Sequence, residues 1–261
     1  MDSSGSKLTN SVSLIITTFL AFTTLYFLLK GHGMTTLEDG KISGGSTAAY
    51  TLGYIIFIVL VQVAFNFTNA QAVCNGSAQN LFSVLMYTFI PNFLVLGSVI
   101  ALTSAFPGWL SPFSNTFGYL FISCLGLSRK FNSLLANKGN ELLTKICADH
   151  SLVINEMTPN NYEDFMKSLS DNKTSILSKD YSTKPGYNEL YKLVVIKDLI
   201  AEYIWYVMAG FLTISISSHS ISNIQCEFST EEMKKTVTDL HDQEEEQAAN
   251  QKKPSLYSVT N

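Results

Sequence analysis

The chain has 261 residues, of which 46% are hydrophobic and only 15% are charged, and its formal net charge is −4. The charged share lies well below the roughly 25% that is usual in soluble domains. Between Lys41 and Arg129 the sequence contains no Asp, Glu, Lys, Arg or His, which excludes an ordinary soluble surface for this stretch. We therefore expect an all-α, polytopic membrane helix bundle with a lipid bilayer as its main partner.

Apolar segments long enough to cross a membrane recur along the chain. A helix needs about 20 mainly apolar residues to cross the hydrocarbon core. Length and flanking residues predict four or five spans, at Ser11–Leu29, Thr47–Phe67, Leu81–Ala105, Pro112–Leu127 and Leu199–Ser217. The fourth segment is short, so both a full crossing and a re-entrant return fit it. The chain then divides into a bundle (1–127), an extramembrane region (128–198), a last span (199–217) and a tail (218–261).

The N-terminal segment is predicted to be a retained signal anchor. Its apolar run is longer than the core of a typical signal peptide, and the sequence YFLLKGHG that follows lacks a small-x-small cleavage pattern. Gly31–Ser46 then reads as a Gly-rich flexible connector to the second span.

The third and fourth segments each carry a row of small residues. Gly97, Ala101 and Ala105 recur every four residues in the third segment, and Gly118 and Gly126 lie eight apart in the fourth. Such rows let two helix backbones approach closely in lipid. We expect the two segments to pack against each other, although Gly and Ala are also common in membrane helices without any such contact.

The stretch FPGWLSPFSNTFGY, 106–119, joins these two segments with two prolines, two glycines and five aromatic residues but no charge. Pro107 and Gly108 are expected to end the third helix, and Ser111 with Pro112 to cap and start the fourth. Rings such as Trp109 settle at bilayer interfaces. The stretch therefore predicts a tight hairpin at headgroup level, with an ordinary loop as the alternative.

The same stretch, with AEYIWYVMAGFLTISIS near the C-terminus and the loop Cys74-Asn75-Gly76-Ser77, resembles multi-span membrane proteins of nucleocytoplasmic large DNA viruses of the phycodnavirus and mimivirus-like groups. The resemblance covers roughly 54–222. It implies a virion component in the internal membrane, derived from a host membrane during assembly. It further implies a minor capsid protein whose partners are capsid or other virion membrane proteins.

The region 128–198 is expected to form amphipathic helices. Phe131, Leu134 and Leu135, then Leu142, Leu143 and Ile146, follow helical spacing. A further helix is predicted to start at Thr158-Pro159 and to bury Tyr162, Phe165, Met166 and Leu169. The polar stretch from Ser170 to Asn188, including Pro185-Gly186, reads as an exposed loop.

Charges at the start of the last span are the next candidates for a site. Asp198 and Glu202 are four residues apart, hence on one helical face, and Lys197 lies beside the first. A charge within a bilayer is a functional candidate by default. The alternative places all three at the membrane edge, where Glu202 pairs with Lys197, Arg129 or Lys130.

Catalytic and metal-binding patterns do not emerge from the sequence. The four His and four Cys residues are scattered, and HExxH, CxxC, GxSxG, P-loop and GxGxxG motifs do not occur. We therefore expect no enzymatic activity, no cofactor, no metal and no nucleic-acid partner. Cys74 and Cys147 would share one side of a five-span protein and pair if that side is oxidising, whereas free thiols are the alternative.

Five crossings would place the N-terminus, the 68–80 loop and region 128–198 on one side, and the tail on the other. Positive charge then favours an N-terminus in the cytosol. The sequons at Asn66, Asn75 and Asn172 would fall on that same side, where glycosylation does not occur, so the two signals conflict.

The tail from Asn223 to Asn261 has eight acidic residues and four lysines. It is either a solvated end or a docking segment, and the viral resemblance favours docking. Two functions remain from the sequence: a structural virion membrane protein, or a small transporter or channel-like protein. Transport would call for ionisable or broken-helix sites at the membrane midplane.

Overall fold

The computed structural model describes residues 3–34, 44–74, 81–136, 141–170 and 176–226, with the tail residues 234, 237, 238, 240, 241 and 243. Most of the predicted connector, the sequons at Asn75 and Asn172, and most of the acidic tail lie outside the described residues. Helices form nearly all of the described chain, and an antiparallel bridge joins Leu135 to Leu177. The predicted all-α fold is confirmed.

The α-helices follow one another with short π and 3-10 turns between some of them. In chain order they are α1 (Ser3–Met34), α2 (Gly44–Val73), α3 (Leu81–Pro91), α4 (Ser98–Ala105), α5 (Ser111–Phe113), α6 (Tyr119–Cys124), α7 (Leu127–Asn132), α8 (Glu141–Ala148), α9 (Ser151–Ile154), α10 (Tyr162–Ser170) and α11 (Pro185–Ser222). A π-helical turn, Asn92–Gly97, joins α3 to α4, and we call this composite the third span.

Four segments of the described chain are long and apolar enough to cross a membrane: Ser11–Gly33, Ala49–Val73, Leu81–Ala105 and Pro185–Ser222. They correspond to the first, second, third and last predicted spans. The last helix begins far upstream of its predicted span. Pro185 and Gly186, predicted to lie in an exposed loop, are its first residues, because proline is well suited to the first turn of a helix.

The length of α11 lets it serve two parts of the molecule. Its 38 residues extend about 57 Å at 1.5 Å per residue, almost twice the thickness of a hydrocarbon core. Its C-terminal half packs among α1, α2 and the third span. Its N-terminal half, 185–201, packs against α7 and buries Leu190, Val194 and Val195.

Polar and aromatic contacts set the register of the bundle. Thr23 and Tyr54 share a hydrogen bond of 2.8 Å between α1 and α2, and Ser11 donates to Asn69 Oδ1 at 2.5 Å nearer the end of the bundle. The ring of Tyr26 stacks with the rings of Tyr54 and Tyr206, at centroid distances of 4.4 and 6.2 Å respectively. Side-chain hydrogen bonds are effective here because the surrounding lipid offers polar groups no water.

The fourth predicted segment is broken into short pieces. It is a series of short helical pieces from Pro107 to Cys124, and it is not among the candidate spans found in the described chain. The pieces pack along α11, where Trp109 meets Trp205, Ser114 meets Asp198 and Gly118 meets Lys197. The segment therefore runs along α11 from Trp205 towards the residues that pack on α7, and its crossing stays a prediction.

The remaining helices form a small extramembrane unit on α11. We call α7 to α10, with residues 185–201 of α11, the cap. Its core contains Phe131, Ile154, Met157, Met166 and Leu190, all with zero exposure. The stretch from Phe131 to Ile146, predicted to form amphipathic helices, lies on two helices, with α7 ending at Asn132 and α8 starting at Glu141.

Tyr162, at the start of α10, joins the cap to α11. Its hydroxyl donates to the carbonyl of Tyr187 at 2.7 Å, and burial raises the pKa of this phenol well above its ordinary value. The Thr158 side chain does accept a hydrogen bond before α10: Asn161 N–H donates to Thr158 Oγ1 at 3.3 Å. The helix itself begins at Tyr162, three residues after Pro159, its predicted first position. The predicted buried stripe is confirmed at Tyr162 and Met166, while Phe165 and Leu169 pack at its edge.

A disulfide closes the end of the bundle opposite the cap. Cys74, just after α2, bonds to Cys226, just after α11, with a Cα–Cα distance of 5.6 Å. Of the two alternatives left open for Cys74 and Cys147, a mutual disulfide does not form, and Cys147 is a free thiol while Cys74 is paired with Cys226. The bond places both helix ends on one side of the membrane, which we call the tail side.

This arrangement revises the predicted topology. The described spans put the start of α1 and the ends of α2 and α11 on the tail side, and the end of α1, the start of α2 and the cap on the other side, which we call the cap side. Among the described residues, Lys7 lies on the tail side, and nine Lys and Arg residues, from Lys30 to Lys197, lie on the cap side. Positive charge thus indicates a cytosolic cap, and the disulfide indicates an oxidising tail side.

We expect Cys147 and Cys226 to lie on opposite sides of the membrane. In sealed, cap-side-out vesicles, an impermeant maleimide should label Cys147 at once. It should label Cys226 only after detergent and reductant, because the thiol is both lumenal and disulfide-bonded. A variant with Cys74→Ser, Cys124→Ser and Cys147→Ser, in which Cys226 is the one remaining thiol, is the matched control. Labelling of Cys226 in intact vesicles of that control would contradict the topology.

Candidate functional site at the junction of bundle and cap

The predicted interface hairpin is a compact helical turn at the edge of the bundle. Pro107–Leu110 form a 3-10 turn that continues directly into α5, so Ser111 lies within the helical run and makes no side-chain cap. Trp205 Nε1 donates to the carbonyl of Trp109 at 2.9 Å, and Phe113 packs edge-on against Trp205 at 5.1 Å. Pro107, Gly108 and Pro112 are exposed. The two tryptophans are of the kind that marks a membrane–water interface.

Glu202 forms the main ion pair of the junction. Lys30 Nζ lies 2.6 Å from Glu202 Oε1 and 2.5 Å from Oε2, and the two side chains are only 10% and 15% exposed. The Lys30 ammonium also lies 5.9 and 5.6 Å from the ring centroids of Tyr26 and Phe27. The predicted partners of Glu202, namely Lys197, Arg129 and Lys130, are wrong, because α1 supplies the cation.

Lys197 and Asp198, although adjacent, have different partners. Asp198 accepts a hydrogen bond from Ser114 at 2.6 Å, which links α11 to the fourth segment. Lys197 is 1% exposed and donates to the carbonyl of Ile154 at 3.0 Å, which links α11 to the cap. Buried charges persist only where such partners are present. The three predicted membrane-edge charges thus each tie α11 to a different element.

A polar cleft of about 230 Å³ opens beside these groups. Its walls come from the bundle, the cap and α11: Lys30, Thr103, Ser104, Pro107, Leu110, Thr158, Pro159, Asn160, Val195, Asp198, Leu199 and Glu202. The cleft holds one cation and two carboxylates. Within the described residues no group of three or more His, Cys, Asp or Glu is arranged to hold a metal ion. The arrangement suits a fixed joint between bundle and cap.

Two small residues pack closely: Gly118, which is one of the predicted packing residues, and Gly210, which is not. A Cβ on Gly118 would collide with the Lys197 carbonyl, and one on Gly210 would collide with the Phe19 ring. A Cβ on Gly97 would meet nothing nearer than the carbonyl of Asn92 in its own helix, at 3.7 Å. The predicted contact between the two small-residue rows is therefore wrong, because the third span and the fourth segment pack chiefly on α11 and not on each other.

The other members of those rows have different roles. Ala101 and Ala105 are exposed on the surface of the third span. Gly126 has φ +87°, the left-handed conformation that glycine adopts without steric cost, and it ends α6 before α7 begins. It is thus a helix-terminating residue, and it makes no close packing contact.

A buried polar cluster lies deeper in the bundle. Asn66 Nδ2 donates to Thr88 Oγ1 at 2.8 Å and to Ser217 Oγ at 2.7 Å, which joins α2, α3 and α11. Asn66 is 2% exposed, so this sequon is a packing residue inside the span. The sequence analysis did not predict this cluster. The sequence signal for such a cluster is the presence of amide and hydroxyl side chains in otherwise apolar helices.

Comparisons with models of known protein families, with curated proteins and with solved structures find no match to this chain. The class of protein therefore follows from the fold itself. It is an integral membrane protein in which an all-α bundle carries a small helical cap, with α11 shared between them.

Substitution of Glu202 by Gln should destabilise the protein by about 3–5 kcal/mol, because it leaves the buried Lys30 ammonium unpaired. The double variant Lys30→Met/Glu202→Gln should recover part of that loss, since no charge then remains unpaired. Thermal unfolding in detergent measures both. Lys130→Met, which breaks an exposed pair with Glu189 at 3.3 Å, is the control and should cost about 1 kcal/mol or less. Equal effects of Glu202→Gln and the control would contradict the importance of the buried pair.

Gly118→Ala should lower stability by about 1–3 kcal/mol, because the new methyl group would meet backbone that cannot rotate away. Gly97→Ala, the same change in the third span, should leave the melting temperature in detergent nearly unchanged. If Gly97→Ala were the more damaging of the two, the helix contacts described above would be wrong.

Proposed function

We propose that the protein is a structural membrane anchor: its bundle holds the cap at a fixed height above the bilayer so that the cap can bind a protein layer. In the setting that the sequence resemblance implies, that layer is the capsid shell of a large DNA virus, and the chain acts as a minor capsid protein of the internal membrane.

The observation that carries this proposal is the continuity of α11. One helix begins in the core of the cap and ends at the tail-side disulfide, so no flexible linker separates the cap from the spans. The Lys30–Glu202 pair and the Asp198–Ser114 bond brace the helix where it leaves the bundle. A load applied to the cap is therefore transmitted directly to the membrane, as an anchor requires.

The chemistry of the spans also supports an anchor. Residues 42–128 and 203–218 contain no Asp, Glu, Lys, Arg or His. Ion and proton pathways through membranes usually depend on such residues. The charges of the junction lie at the cap-side end of the bundle, where they stabilise the fold.

Topology indicates which part of the chain faces the shell. A shell assembled in the cytosol on a host-derived membrane meets the cytosolic side, which positive charge assigns to the cap. The tail lies on the opposite side, so the expectation that the tail docks on the shell is replaced by docking through the cap. Apolar side chains on the outer face of the fourth segment, at Phe117, Leu120, Phe121 and Leu125, are 46–63% exposed and offer a contact surface.

Photo-cross-linking in assembled particles tests this proposal. A photoreactive residue at Leu152, which is 59% exposed in the cap, or at Leu120 should cross-link to a shell protein. The same residue at Met208, which is 51% exposed in the middle of α11, should cross-link to lipid and serves as the matched control. Deletion of 230–261 should leave membrane insertion and the cap cross-links unchanged. Loss of those cross-links on deletion would return the docking role to the tail.

A transporter or channel is the second candidate, and the polar cluster around Asn66 is the observation that favours it. If the full-length chain cross-linked to no shell protein from either side of the membrane, reconstituted vesicles should be tested for ion and solute flux. Flux that Asn66→Leu abolishes would establish this alternative in place of the anchor.

A further inference from the structure

A groove of about 700 Å³ runs between α1 and α11 at the end of the bundle that carries the cap. On α1 its wall consists of Thr24, Phe27, Leu28 and Gly31, which follow the three-and-four spacing of one helical face. These residues belong to the candidate span Ser11–Gly33. This wall of the groove therefore lies at the level of the bilayer.

The opposite wall comes from α11 and from the fourth segment. Four residues of α11 with the same helical spacing form most of it: Ile196, Leu199, Ile200 and Tyr203. Phe121 of α6 adds an aromatic side. Gly118 meets Lys197, and the segment continues from there towards α7, so Phe121 lies at the cap-side end of the groove.

The surface of the groove is almost entirely apolar. Of the described residues that line it, none is Asp, Glu, Lys or Arg. The hydroxyls of Thr24 and Tyr203 hydrogen-bond to each other at 3.1 Å at the end nearer the middle of the bundle. His32 is the polar side chain at the cap-side end. A matching ligand is therefore apolar along most of its length and polar at one end.

The bilayer supplies such a ligand, because the groove is continuous with it. Leu28 is 67% exposed and Phe121 is 51% exposed, and exposed apolar surface of this kind marks a contact with lipid or protein. From Thr24 to His32 the α1 wall rises about 12 Å at 1.5 Å per residue. One leaflet of the hydrocarbon core is about 15 Å thick, so a single acyl chain can follow the groove along its length.

His32 suits the polar end of a phospholipid. An imidazole N–H donates hydrogen bonds, and phosphate oxygens accept them. The nine Lys and Arg residues described on the cap side lie at the same end of the bundle. Such a concentration of positive charge attracts phosphate-bearing headgroups.

We propose that this groove binds one phospholipid of the cap-side leaflet, with an acyl chain between α1 and α11 and the phosphate beside His32. The bound chain covers apolar side chains of α1, α11 and α6 together, so it fills the space at the edge of the junction. The site does not depend on the proposed anchoring function, because it needs no shell protein.

Native mass spectrometry of the full-length chain in a mild detergent tests the site. One molecule of dioleoylphosphatidylcholine should stay bound at a detergent concentration that removes all other lipid. Dihexanoylphosphatidylcholine, which has the same headgroup but short chains, should bind at least ten-fold more weakly. Oleoyl-lysophosphatidylcholine should compete, because the groove takes a single long chain.

Four variants separate this site from a general affinity for lipid. Leu28→Trp and Ile200→Trp fill the groove from opposite walls, and each should reduce lipid retention at least five-fold, so the test survives if one of them does not fold. Leu212→Trp, at a residue of α11 that is 52% exposed outside the groove, is the matched control and should retain lipid like the parent. His32→Leu should weaken retention of dioleoylphosphatidylcholine at least three-fold and leave that of dioleoylglycerol, which lacks a phosphate, unchanged.

Several outcomes would overturn the proposal. Equal retention of the long-chain and short-chain lipids would show that the groove does not select an acyl chain. Undiminished retention by folded Leu28→Trp and Ile200→Trp would place the lipid elsewhere, and equal effects of His32→Leu on both dioleoyl lipids would remove the phosphate contact. Cross-linking of a photoreactive residue at position 200 to a second copy of the chain would make the groove a dimer contact. A hydroxylamine-sensitive acyl group on Cys124 with no bound phospholipid would make the chain a covalent one.

Discussion

The sharing of α11 between two environments is the constraint on which the rest of the structure depends. Its N-terminal half is buried by the cap and its C-terminal half by the bundle. A helix that passes from water into lipid has to satisfy its charges near the boundary, because a charge deeper in the bilayer is costly. Lys197, Asp198 and Glu202 lie where α11 passes from the bundle to the cap, and each has a partner from a different element.

The fourth segment follows from the same constraint. Its sequence is apolar enough to resemble a span, yet its residues pack along the side of α11. Gly118 permits this close approach, since any side chain there would meet the Lys197 carbonyl. The segment thus packs against α11 beside Lys197 and Asp198 and shields these buried side chains from solvent.

The two ends of the bundle are held by different chemistry. The cap-side end relies on an ion pair, two tryptophans and hydrogen bonds, whereas the tail-side end relies on the Cys74–Cys226 disulfide and a small cluster around Ala70, Val84 and Ile221. A disulfide on one side and a concentration of Lys and Arg on the other agree on one orientation.

The sequence by itself determined the helical class and the approximate positions of four apolar spans, because hydropathy acts locally along the chain. It did not determine which residues far apart in the sequence contact each other. Lys30 and Glu202 are 172 residues apart, Cys74 and Cys226 are 152 apart, and Gly118 contacts a carbonyl far along the chain. Gly97 and Ala101 have the four-residue spacing of small residues at a helix–helix contact, yet they do not form one. Only the packing of α11 decides which glycine faces a helix and which faces lipid, since that choice depends on how the helices are rotated in three dimensions.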